Sequence, residues 1–81
     1  MTVELYSKPA CVQCTQSKKT LEKLGVEFVE SNVVSDEAAY DFVTKTLGYS
    51  AAPVLVVKDN DGNVIEHWSG FEPEKLNKLA S

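Results

Sequence analysis

Eighty-one residues, 43% of them hydrophobic, suffice for one compact domain spanning 1–81 and are too few for two, because domains seldom fall below about 50 residues. Eight basic against twelve acidic side chains leave a net charge of -4, which repels phosphate backbones and anionic head groups and argues against nucleic acid or a membrane surface as a partner. The chain does not open with a basic segment followed by an apolar run, and no stretch approaches the about 18 apolar residues of a membrane span, so a cytoplasmic protein is expected.

Val3-Glu4-Leu5-Tyr6 alternates and is β-prone, and Ser7-Lys8-Pro9-Ala10 breaks it, since a proline disfavours helix at the residue before it. Residues 12–24 then allow a helix with Cys14, Ser17, Leu21 and Leu24 on one face, and Gly25 stands where a left-handed C-terminal cap belongs. Residues 26–33, rich in Val and Phe, predict a second strand. The resulting β-α-β unit implies parallel pairing and a right-handed crossover.

Ser35 or Asp36 caps a second helix, which carries Ala39, Phe42, Val43 and Leu47 inward, Tyr40 and Asp41 outward, and ends at Gly48. Val54-Leu55-Val56-Val57 lacks alternation, as expected of a strand buried on both faces near the middle of a sheet. Asn60-Asp61-Gly62 is hairpin chemistry and leads into residues 64–68 as an antiparallel edge strand. Pro73 suits the first turn of a last helix that buries Leu76 and Leu79 and leaves Lys75 and Lys78 in water. The predicted class is α/β, a four-stranded mixed sheet with three helices in the order β-α-β-α-β-β-α.

Cys11 and Cys14 require a chemical explanation, because two residues between cysteines close too small a loop to stabilise a fold through chain entropy. Cys11 falls where loop becomes helix, and the unpaired N–H groups and positive dipole end there favour a thiolate. Cysteines so placed in Cys-x-x-Cys motifs have pKa values lowered to about 3.5–7.5. Cys14 lies one turn further on, its stem toward the buried stripe, so Cys11 reads as the attacking thiolate and Cys14 as the resolving thiol. Val12 and Gln13 between them carry no ionisable group and are suited to packing and partner contact. Lys8 either adds positive charge beside Cys11 or is a solvated loop residue.

A zinc site would need four ligands, and only His67 stands beyond the two thiols, so no bound metal or cofactor is expected other than a redox-active Cys11–Cys14 disulfide. His67, between Glu66 and Trp68 on an edge strand, reads as solvent-facing and is assigned no role. Pro53 opens the central strand, an awkward place for a residue without N–H. A cis Ala52–Pro53 peptide would expose the backbone of Ala52 to an extended partner segment, whereas a trans proline would merely begin the strand.

Cys-Val-Gln-Cys at 11–14, Ala52-Pro53 at the strand start and Trp68-Ser69-Gly70-Phe71 before the last helix make nearly the whole chain resemble the NrdH-redoxins. The resemblance implies a thioredoxin fold, re-reduction by NADPH-dependent thioredoxin reductase and electron delivery to class Ib ribonucleotide reductase; a monomer is expected. It makes Cys11 the nucleophile, Cys14 the resolving thiol and Pro53 a cis-proline, with Trp68, Ser69, Gly70 and Phe71 shaping the partner surface. For Trp68 and Phe71 core packing is an equal reading. Glutaredoxins usually hold glutathione with a Gly-Gly-x-Asp type segment at this place; bulky Phe71 after a single Gly70 implies poor glutathione binding. Glu72 stands where that family usually has arginine, and the hairpin over residues 58–66 is longer and more charged than the family leads one to expect. The alternatives are a glutathione-dependent glutaredoxin or general protein disulfide reductase and, from another class, a carrier holding an iron-sulfur cluster or metal between subunits through Cys11.

Overall fold

Alternation along Thr2–Ser7 decides how the sheet meets its two layers. In the computed structural model, which describes residues 1–80, this segment is strand β1. Val3 and Leu5 point to one face, where they pack with Leu21, Leu55, Val57, Trp68 and Leu76. Tyr6 points to the other and packs with Ala39, Val43, Val54 and Val56. Two cores therefore share one sheet.

Helix α1 (Val12–Lys23) buries Cys14, Ser17 and Leu21, the last of them within the first of these cores. It ends at Gly25, whose φ of 72° is the left-handed conformation that glycine adopts without strain. Strand β2 is confined to Val29–Asn32, shorter than residues 26–33. The N–H of Val26 is taken by the carbonyl of Leu21 at 3.0 Å, which ties this part of the chain to the helix end rather than to the ladder. Beside β1, β2 pairs in parallel from Glu4–Val29 to Ser7–Asn32.

Asp36, not Ser35, caps α2 (Glu37–Asp41), its Oδ1 accepting the Ala39 N–H at 3.1 Å. The predicted long second helix does not continue in regular form: Phe42–Thr46 widens into a π turn. Its inward stripe is as expected, with Ala39 and Val43 buried and Phe42 and Leu47 packed alongside them. Tyr40 is exposed, but Asp41 is half-buried and paired with Lys45 at 3.4 Å.

Strand β3 (Val54–Lys58) has its first four residues buried, as the unbroken apolar run requires, and it lies antiparallel between β1 and β4 (Val64–Ser69). The sheet order is β2-β1-β3-β4. Residues 59–63 turn the hairpin around Asp59, whose carboxylate accepts the N–H groups of Asp61 and Asn63, both at 2.9 Å. Helix α3 (Pro73–Leu79) starts at its proline and buries Leu76. Lys75 is not fully in water: its ammonium lies 5.5 Å from the centroid of the Trp68 ring.

A polar bridge joins α1 to the sheet, with the Ser7 hydroxyl donating to Glu30 at 2.9 Å and Lys18 3.2 Å from the same carboxylate. The Ser7 hydrogen bond, aided by Lys18, holds the Glu30 carboxyl below its ordinary 4.5. A lowered folded value means that this contribution is complete above the ordinary carboxylate range and disappears as pH falls through the lowered value. Glu30→Gln is therefore expected to flatten the acid limb of a stability-against-pH curve measured by urea denaturation. Replacing Leu55, fully buried in the first core, by alanine should cost about 2–5 kcal/mol in the same assay.

Candidate active site

Lys8, Pro9 and Ala10 carry the chain from β1 into α1. Ala10 has a φ of 56°, a conformation unfavourable for residues with a Cβ, and nothing in the sequence marks it. Cys11 follows as the N-cap, extended at φ -112° and ψ 107°. Its sulfur lies over the open helix end and accepts the backbone N–H of Cys14 at 3.1 Å. The first turn contains no acidic residue to oppose a negative charge at this sulfur. Cys11 is half-buried, whereas Cys14 is 5% exposed. The two are joined as a disulfide with Cα atoms 5.2 Å apart.

The Ala52–Pro53 peptide is cis, which decides between the two conformations open to the sequence. Cys11 Sγ lies 3.9 Å from the carbonyl oxygen of Ala52, so segments 41 residues apart meet at the sulfur. Three further bonds stitch the end of β4 to this place. Ser69 donates its hydroxyl to the Ala51 carbonyl at 3.0 Å, Gly70 donates its N–H to the Pro53 carbonyl at 2.8 Å, and Phe71 donates its N–H to Gln13 Oε1 at 3.0 Å. Gly70 has a φ of 92°, and a Cβ there would lie 3.4 Å from the same Gln13 oxygen.

Cys11, Cys14, Gln13, Ala52, Pro53, Ser69, Gly70 and Phe71 are thus linked in one place. Val12 stands on the surface beside them, 72% exposed. Trp68 does not join them at the surface: it is 4% exposed and packs in the core beneath. Phe71 is half-buried against the same core. Lys8 is exposed and lines two cavities. One, about 660 Å³, runs past Ala51 and Ala52 between Val34 and Tyr40; the other, about 380 Å³, is polar and reaches Cys14, Ser7, Lys18 and Glu30. His67 is exposed yet partnered, its Nδ1 2.7 Å from the Tyr49 hydroxyl. Among the described residues, no three His, Cys, Asp or Glu side chains gather where they could hold a metal ion, and no helix is long and apolar enough to cross a membrane.

A mixed four-stranded sheet with a Cys-x-x-Cys pair at the start of its first helix defines a thioredoxin-fold thiol-disulfide oxidoreductase. Residues 3–61 match the Glutaredoxin family. The glutaredoxin-like protein NrdH of Lactococcus lactis subsp. cremoris is 41% identical over 80 residues, covering 96% of this chain and 99% of that protein. The Gene 56 protein of Mycobacterium phage L5 is 34% identical over 77 residues, covering 95% and 70% respectively. Among solved structures, the NrdH-redoxin of Escherichia coli, described as having a thioredoxin-like activity profile, superposes with a TM-score of 0.83 at 30% identity, covering 98% of this chain and 95% of that one. The chain belongs to the glutaredoxin family and, within it, to the NrdH-redoxins.

Two substitutions probe the stitching. Gln13→Ala removes the acceptor for the Phe71 N–H and should speed hydrogen exchange at that amide while leaving the α1 amides beyond the first turn protected. Gly70→Ala forces a Cβ into a left-handed conformation and should cost about 1–2 kcal/mol by denaturant titration.

Proposed function

We propose that this chain is a dithiol electron donor to class Ib ribonucleotide reductase, re-reduced by thioredoxin reductase, with Cys11 attacking and Cys14 resolving. The observation that carries the assignment of roles is the asymmetry of the pair. Cys11 is the more exposed sulfur and accepts a backbone N–H at the helix start, whereas Cys14 is buried behind it. In the reduced protein the Cys11 thiolate attacks one sulfur of the partner disulfide; a mixed disulfide forms and the partner's other sulfur leaves as a thiolate. Cys14 then loses its proton and attacks Cys11, the mixed disulfide breaks, and the partner departs with both cysteines reduced. Two electrons have moved to the partner, and the Cys11–Cys14 disulfide remains for the reductase to reopen.

An extended partner segment would lie across the cis-Pro turn, pairing with the backbone of Ala52 next to Cys11, with Val12 and Phe71 as apolar contacts on either side. The resemblance to the NrdH-redoxins supports the choice of partners. The site supports a protein electron source over glutathione. The Phe71 N–H is already taken by Gln13, and the half-buried, apolar Phe71 side chain offers no polar hold to a small peptide's carboxylate. Exposed Glu72 adds negative charge at this edge, so a partner segment carrying positive charge there would be favoured.

With NADPH and thioredoxin reductase the oxidised chain should be reduced rapidly, and with NADPH, glutathione reductase and glutathione slowly; the reverse order would replace this reading with that of a glutathione-dependent glutaredoxin. Cys11→Ser should abolish reduction of insulin disulfides, and Cys14→Ser should retain the first attack and accumulate mixed disulfides visible by mass spectrometry. Equal loss of adducts in both variants would contradict the roles.

A further inference from the structure

Helix α1 carries a buried hydroxyl that the fold leaves without a partner. Ser17 is 0% exposed, and its Oγ has no hydrogen-bond partner among the described residues. Buried polar atoms almost always find a partner, and one that does not lowers stability, so it requires an explanation. Position on the helix supplies one. Ser17 follows Cys14 by three residues, on the same face, and both are buried. Side chains on a helix lean toward its N-terminus, so the Ser17 side chain lies over the turn that holds Cys14. In the disulfide the Cys14 sulfur is turned to Cys11 and is a weak, neutral acceptor. Once the S–S bond opens, that sulfur is free to rotate and, as a thiolate, is a charged acceptor of the kind that forms the stronger hydrogen bonds.

We propose that Ser17 is a positioning residue for the resolving thiol: on reduction its hydroxyl donates to the Cys14 sulfur, stabilising the thiolate that attacks the mixed disulfide and favouring the dithiol form of the couple. The electron count is that of the couple itself. A reducing dithiol gives two electrons, the Cys11–Cys14 bond breaks, and the donor becomes a disulfide. Its two protons go to Cys11 and Cys14 or to solvent, and Cys14 is among the residues that line the polar cavity of about 380 Å³. Because the hydroxyl is unsatisfied only in the disulfide, Ser17 raises the reduction potential. The inference rests on the Cys11–Cys14 couple cycling as described above, and it is independent of which proteins the couple serves.

The test is Ser17→Ala in the full chain. Alanine is smaller and a better helix former, so the variant folds. Wild type and variant are each equilibrated with dithiothreitol buffers of graded ratio, and the thiol form is counted by alkylation and mass spectrometry. The variant's equilibrium constant for reduction should fall about tenfold, which for a two-electron couple is about 30 mV toward more reducing. In a Cys11→Ser background, the ultraviolet absorbance of the Cys14 thiolate should appear at higher pH when Ser17 is alanine. Equal potentials in the two proteins would mean that Ser17 only packs, with both redox forms stabilised equally by the change, and would overturn the inference alone. A wild-type couple that failed to titrate would overturn it together with the proposed function.

Discussion

The hydrogen bond from the Cys14 N–H to the Cys11 sulfur is the constraint around which the molecule is organised. It exists because Cys11 is the N-cap of α1, and Cys11 is the N-cap because the chain leaves β1 through Pro9 and a left-handed Ala10 that turns it sharply into the helix. An ordinary N-cap uses a serine, threonine or aspartate oxygen to satisfy the open amides. Here the Cys11 sulfur occupies that place and accepts the Cys14 N–H. The start of the helix and the cysteine pair share one geometry at this residue.

Everything else in the fold holds that geometry in place. β1 and β3 are the two central strands, and they feed both layers of core, Val3 and Leu5 toward α1 and α3, Tyr6, Val54 and Val56 toward α2. Cys11 follows the end of β1, and Pro53 precedes the start of β3, which runs antiparallel to it. The Cys11 sulfur and the backbone of Ala52 are therefore fixed by the same pairing of neighbouring strands. Ser69, Gly70 and Phe71, at and just beyond the end of β4, close the third side through contacts to Ala51, Pro53 and Gln13.

The order of elements and the cysteine pair were legible in the sequence because they depend on local pattern: alternation in β1, an unbroken apolar run in β3, glycines at helix ends, and two thiols one turn apart. The features that were not legible depend on residues far apart in the chain or on backbone choices that composition does not determine. β2 is short because the Val26 N–H bonds back to Leu21, a contact invisible to a β-propensity reading of residues 26–33. The second helix reads as regular because its apolar stripe stays inward, yet Phe42–Thr46 takes up an extra residue per turn. The partner of Gln13 lies 58 residues away. Trp68 belongs to a quoted surface motif but is buried, since its place on β4 opposite Leu55 directs it into the core.

The stitching of Gln13 to Phe71 and of Cys11 to Ala52 also bears on when the site comes into being during folding. The sulfur cap spans only three residues and can form as soon as the first turn of α1 does. The walls around it join positions 41 and 58 residues apart, and contacts of such separation close late because the loop entropy must be overcome first. A chain still folding, or opened locally at β4, therefore presents the capped sulfur without the walls that surround it in the finished fold. The cap arrives before its surroundings, and the interval between them is set by how quickly the last strand docks.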